Sequence, residues 1–218
     1  MDWLLAVDGY CERTGANYWS EPVNALTNLG FVLVALVLWP RMAGLGLARL
    51  LSANLALIGI GSWLFHTHAQ VWAGLADTAP ILSFVLIYVF AAHRDFWCMS
   101  PGWSFGATLL FFPYAALTVP LFQLLPGLGS SAGYAPVPLL IAAHAVLLRH
   151  RAPATAKGLG IGVALLTLSI LFRSLDAPLC TVWPMGTHFV WHLLNAAMLG
   201  WMIEVYRRHM LADGSSRR

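Results

Sequence analysis

The sequence predicts an all-α membrane protein, a bundle of seven transmembrane helices with its N-terminus outside and its C-terminus in the cytoplasm. Two observations carry that class. Hydrophobic residues fill 59% of the 218 positions and charged residues only 10%, with a mean hydropathy of +0.72; a soluble domain carries about 25% charged residues. Between Asp95 and Arg149 there is no Asp, Glu, Lys or Arg, which leaves room for two spans of about 20 residues each. Little chain remains for a separate soluble domain, and no nucleic-acid partner is expected.

Residues 1–21 hold Asp2, Asp8, Glu12 and Glu21 against Arg13 alone, and read as an acidic outer cap with a short interfacial helix. The start Met1–Ala6 lacks a basic residue and its apolar run is cut short by Asp8, so no cleavable signal is expected. The body, 22–206, divides into seven spans at about 22–39, 50–69, 77–92, 103–124, 134–148, 158–172 and 186–206. Pro22 and Pro80 suit first helical turns, where a missing N–H costs nothing. The Pro- and Gly-rich run 126–133 separates the fourth span from the fifth. Residues 207–218 form a basic cytoplasmic tail, with disorder expected from Ala212.

Lys and Arg gather in cytoplasmic loops, and this tests the count. With the N-terminus outside, the inner segments hold Arg41, Arg49, Arg94, Arg149, Arg151, Lys157, Arg207, Arg208, Arg217 and Arg218. The outer side holds only Arg13 and Arg173, so ten of the twelve cations lie inside.

This topology brings five polar residues, distant in sequence, to one membrane depth. Ser62 and His66 lie near the outer end of span two, Asp77 opens span three, and His188 and His192 open span seven. Residues four apart share a helix face, so Ser62 with His66, and His188 with His192, each form one stripe. Glu21, Asn24 and Asn28 form another on span one. Ionisable groups inside a membrane are costly and mark function by default. His68 is out of phase with His66 and reads as a flanking residue; His93, His144, His150 and His209 fall near inner ends or elsewhere.

Three neutral imidazoles suit zinc and leave a fourth position for water. Asp77 is then the candidate acid/base, taking a proton from that water and passing it to a leaving amine. Ser62, one turn from His66, is the candidate donor to a developing oxyanion; packing within span two is its other reading.

Ser62-x3-His66-x10-Asp77 with His188-x3-His192 resembles the alkaline ceramidases, part of a seven-span hydrolase superfamily that includes the adiponectin receptors. Two further patches carry the likeness: Cys11-Glu12 followed by 21–28, and 173–176 followed by Cys180. The resemblance implies an intramembrane zinc amidase that cleaves a ceramide-like lipid, entering from the bilayer, to a sphingoid base and a fatty acid. His66, His188 and His192 would be the zinc ligands, with Ser62 and Asp77 completing an active site toward the non-cytoplasmic side. It also implies a Cys11–Cys180 disulfide and a calcium site in the cap, for which Asp8, Glu12, Asn17 and Glu21 are the oxygen candidates. There the pattern departs: an extra residue separates Asp8 from Glu12, and Thr14 stands where the family offers an Asn. A solvated acidic cap is the alternative. A relative acting on another lipid amide or ester, a receptor or sensor with a structural metal, and a transporter with a His/Asp proton relay also stay open at this point.

Overall fold

A computed structural model describes residues 2–216. Among them the chain forms nine α-helices: α1 (Pro22–Thr27), α2 (Leu29–Leu38), α3 (Gly46–His68), α4 (Val71–Ala91), α5 (Pro101–Leu109), α6 (Phe111–Gln123), α7 (Pro136–Leu148), α8 (Pro153–Leu179) and α9 (His188–Ser216). Six helical stretches are long and apolar enough to cross a membrane: Pro22–Met42, Gly46–His68, Val71–Phe96, Pro101–Gln123, Gly129–Leu148 and Pro153–Leu179. The protein is thus an all-helical integral membrane protein. α9 is long enough to be a further span, but His188, His192, Asn195 and Glu204 dilute its apolar character.

Prolines explain the internal breaks. Pro113 has no N–H to give the carbonyl four residues back, and the fourth span is divided at Leu110 between α5 and α6. Pro80 corrects an expectation. It lies well inside α4, not in its first turn, because that helix begins at Val71. Its missing N–H leaves Ala76 O without a helical donor. Ala76 O is also the atom nearest to Gly61 on α3: a Cβ at Gly61 would lie 2.0 Å from it and 3.3 Å from Asp77 Cα. Gly61 therefore lets α3 and α4 touch backbone to backbone beside Asp77.

The cap also differs from expectation. Residues 2–20 contain no helix. Instead the strand-like stretch around Ala6 pairs with the α3–α4 turn, through Val7 N to Ala69 O at 2.8 Å and Val71 N to Leu5 O at 3.1 Å. At the other terminus α9 runs on to Ser216, and Arg217 and Arg218 lie outside the described residues.

α3 and α9 are the central helices. α3 packs between α4 and α2, and α9 packs on α8 while touching α1, α2 and α3. The buried core runs along them, from Leu51, Leu55 and Ile58 to Met198, Met202 and Ile203. α5 and α6 sit at the periphery with few buried side chains.

Candidate metal centre and active site

The polar residues of five elements meet at one end of this bundle. Ser62 and His66 come from the last two turns of α3, Asp77 from the second turn of α4, and His188 and His192 from the first two turns of α9. Glu21 and Thr27 come from the two ends of α1, and Arg173 and Asp176 from the end of α8.

His66, His188 and His192 are buried at 1%, 2% and 1% exposure. One ring nitrogen from each lies within 4.8 Å of the others, and no further His, Cys, Asp or Glu joins the group among the described residues. Buried polar atoms without partners are rare. Three of the seven such side-chain atoms among the described residues belong to this cluster: His66 Nε2, His188 Nδ1 and His192 Nε2 have no hydrogen-bond partner. The opposite nitrogens of two rings are held. His66 Nδ1 meets Glu21 Oε2 at 2.6 Å, and His192 Nδ1 meets Thr27 Oγ1 at 3.0 Å. Ligating histidines are oriented in this way by a bond to the ring nitrogen that does not face the metal. Three buried imidazoles whose open nitrogens converge fit a first-row divalent ion such as zinc.

His188 is placed by its backbone and by stacking. Asp176 Oδ1 accepts from Thr187 N at 2.7 Å and from His188 N at 2.9 Å, capping α9 with a negative charge where the helix dipole favours one. Its other oxygen accepts from Cys11 N at 3.1 Å. Gly186 has φ +67°, and a Cβ there would lie 2.1 Å from Asp176 Oδ1, so only glycine admits this cap. Cys11 and Cys180 form a disulfide with Cα atoms 5.3 Å apart, which ties the cap to the end of α8. Tyr10, next to Cys11, stacks on His188 at 3.6 Å between ring centroids. Burial lifts its pKa well above the ordinary phenol value, so it remains neutral.

Ser62 is 4% exposed and lies beside the Asp77 carboxylate. Both residues line a cavity of about 60 Å³ with His192 and Asn195 at its polar end. Phe84, Val85, Val137, Met198 and Leu199 also line a second cavity of about 60 Å³, which continues toward the opposite end of the bundle past Leu159 and Met202. The two cavities share that lining, and the second carries apolar side chains farther from Ser62 and Asp77.

The calcium candidates do not close on one point. Asp8 and Asn17 are exposed. Both Glu12 oxygens are occupied in accepting from Val23 N and Asn24 N, at 2.7 and 2.8 Å, which caps α1. Glu21 Oε1 pairs with Arg13 Nε, and Glu21 Oε2 bonds His66 and Asn24. Burial alone would raise the Glu21 pKa; His66 and Arg13 outweigh it and hold this carboxyl below its ordinary value. These residues do not fit a calcium ion.

Of the other histidines, His68 is exposed and packs edge-on to Tyr18, away from the cluster. His93 and His144 contact each other near the opposite end, and His209 bonds Thr155 there. Sequence reasoning missed Thr27, Tyr10 and the capping role of Asp176. Only Asp176 left a signal, as a carboxylate in an apolar stretch shortly before a histidine pair.

A family model described as Ceramidase matches residues 8–213 of the chain. No curated protein sequence matches it.

Proposed function

The chain belongs to the ceramidase family, and from that membership we propose a zinc-dependent hydrolase that splits the amide of ceramide into a sphingoid base and a fatty acid. One observation carries the reading. Three buried imidazoles with unpartnered, converging nitrogens sit beside the Ser62–Asp77 pair, at the polar end of a largely apolar cavity.

His66, His188 and His192 hold the metal. Bound there, zinc supplies a Lewis acid and brings a water toward a pKa of about 7. The remaining work falls to the chain. Glu21 and Thr27 keep the His66 and His192 rings turned with Nε2 toward the common point. Asp77 takes a proton from the water whose oxygen adds to the amide carbon, and returns it to the nitrogen as the C–N bond breaks. Atoms balance: one water and one amide yield one carboxylic acid and one amine. In the resting site the Ser62 hydroxyl faces Asp77 and helps to orient the base. Turned toward the substrate, the same hydroxyl donates to the oxyanion.

Joined through their shared lining, the two cavities form an apolar passage that suits one hydrocarbon chain of a two-chain lipid, with the amide at its polar mouth. α9 serves as the seventh span. The cations Arg94, Arg149, Arg151, Arg207 and Arg208 lie at the bundle end remote from the His66–His188–His192 cluster. That supports a cytoplasmic location for this end and a site facing the other side.

The test joins metal analysis of the purified protein to an assay on ceramides of varied chain length. The wild type should carry about one zinc and release sphingoid base, and His192→Ala should lose both. Full zinc occupancy in His192→Ala would remove this residue from the ligand set and sink the reading.

A further inference from the structure

We propose that Arg13 is the built-in cation of the cap, a positioning residue that holds the metal centre in shape and makes it independent of calcium. The inference rests on the reading of His66 as a metal ligand.

The contacts of Arg13 are those of a small cation site. Its Nε pairs with Glu21 Oε1, its Nη1 donates to Gly15 O at 3.0 Å, and its Nη2 donates to His66 O at 3.0 Å. One carboxylate and two backbone carbonyls are the hard oxygen donors that calcium favours. The guanidinium already takes all three, and its side chain is only 5% exposed. An Arg fork is a planar cation whose donors are fixed relative to one another, so it sets direction as well as charge.

What it binds gives it reach into the site. Arg13 grips His66 at the backbone carbonyl, and Glu21, gripped by the same guanidinium, holds the imidazole of that residue at Nδ1. Arg13, Glu21 and His66 thus close a ring, with the ligand fixed at both its main chain and its side chain. Asn24 Nδ2 adds a further donor to Glu21 Oε2 at 3.2 Å. Two chain neighbours tie this arrangement into the bundle. Cys11 joins α8 through the disulfide, and Glu12 caps α1. Arg13 therefore sits where the cap, α1 and α3 meet.

The experiment uses the full-length protein in detergent, purified without added calcium. Wild type, Arg13→Gln and Arg13→Lys are compared for zinc content and for the rate of zinc loss to a chromogenic chelator. Calcium chloride is titrated into the wild type while Tm and heat are recorded. Arg13→Gln should lose zinc about tenfold faster or more, in the range that changes to ligand-orienting partners produce, with Arg13→Lys between it and the wild type. Calcium should leave the wild-type Tm unchanged and give no binding heat. Zinc loss from Arg13→Gln at the wild-type rate overturns the proposal, as does a calcium-induced rise in wild-type Tm. If Arg13→Gln does not accumulate, the calcium titration decides. A wild type that binds no zinc at all points instead to failure of the ligand assignment.

Discussion

Glu21 Oε2 and His66 Nδ1 lie 2.6 Å apart although 45 residues separate them in the chain, and both side chains are almost wholly buried. The bond exists because Glu12 relieves Glu21 of capping duty. Glu21 is the N-cap residue of α1 yet makes no side-chain cap bond, since the Glu12 carboxylate takes the free N–H groups of Val23 and Asn24. Its own carboxylate is left to face α3.

Glu21→Gln should therefore weaken the metal site without removing a ligand. The neutral amide is a poorer acceptor for the imidazole N–H and leaves Arg13 without its buried counter-charge. Changes to such partners cost about 10- to 100-fold in metal affinity. Competition with a chelator of known affinity measures the loss directly; an affinity equal to that of the wild type would show that Glu21 does not orient His66.

Asp77→Asn should retain zinc while turnover falls about 10²- to 10⁴-fold, the range for removing a general acid/base. Ser62 tests how the two cooperate. Its hydroxyl lies beside Asp77 in the same cavity, so the Ser62→Ala/Asp77→Asn double variant should be little worse than Asp77→Asn alone. Groups that act as a unit are non-additive in this way. Fully additive losses in kcat would assign Ser62 to the oxyanion independently of the carboxylate.

The gathering of His66, His188, His192, Ser62 and Asp77 at one end of the bundle was legible because charge-poor segments mark the helices, and their order sets which ends meet. The Arg13–Glu21 pair was not. In an acidic cap Arg13 reads as a lone counter-ion, and nothing along the chain says that Glu12 caps α1 and frees Glu21. Thr27 and Tyr10 were hidden for a related reason, since a threonine on an apolar helix or a tyrosine in a loop is unremarkable until its ring partner is known. Pro80 misled because prolines favour first turns; the tight contact at Gly61 and Ala76 that accommodates it inside α4 joins two helices and leaves no local mark.

The disulfide holds Tyr10, Asp176 and His188 in register, because Cys11 N and His188 N share the Asp176 carboxylate. Replacing Cys11 and Cys180 together by serine should lower stability by about 2–5 kcal/mol, the usual cost of losing a native bridge. It should also slow turnover through disorder at His188. Mass mapping of nonreduced peptides should find Cys11 linked to Cys180 and Cys98, which is free and exposed, open to alkylation. Recovery of Cys11 as a free thiol from protein made in an oxidising compartment would contradict this.

The apolar passage makes a prediction about substrate length. Val137 lines both cavities together with Met198 and Leu199, and Leu159 and Met202 line only the second. Val137→Trp should fill the part they share and leave Ser62, Asp77 and the histidines untouched. A chain that threads the passage would then stop short. Each methylene kept out of an apolar site forfeits about 0.8 kcal/mol, roughly fourfold in binding. Loss of four methylenes would thus cost on the order of 10²-fold in kcat/KM, for long-chain substrates only. Two ceramide series, one varied in the acyl chain and one in the sphingoid chain, identify which chain occupies the passage: only that series should show a new cut-off. A uniform loss across both series, with zinc content unchanged, would mean that neither chain passes Val137.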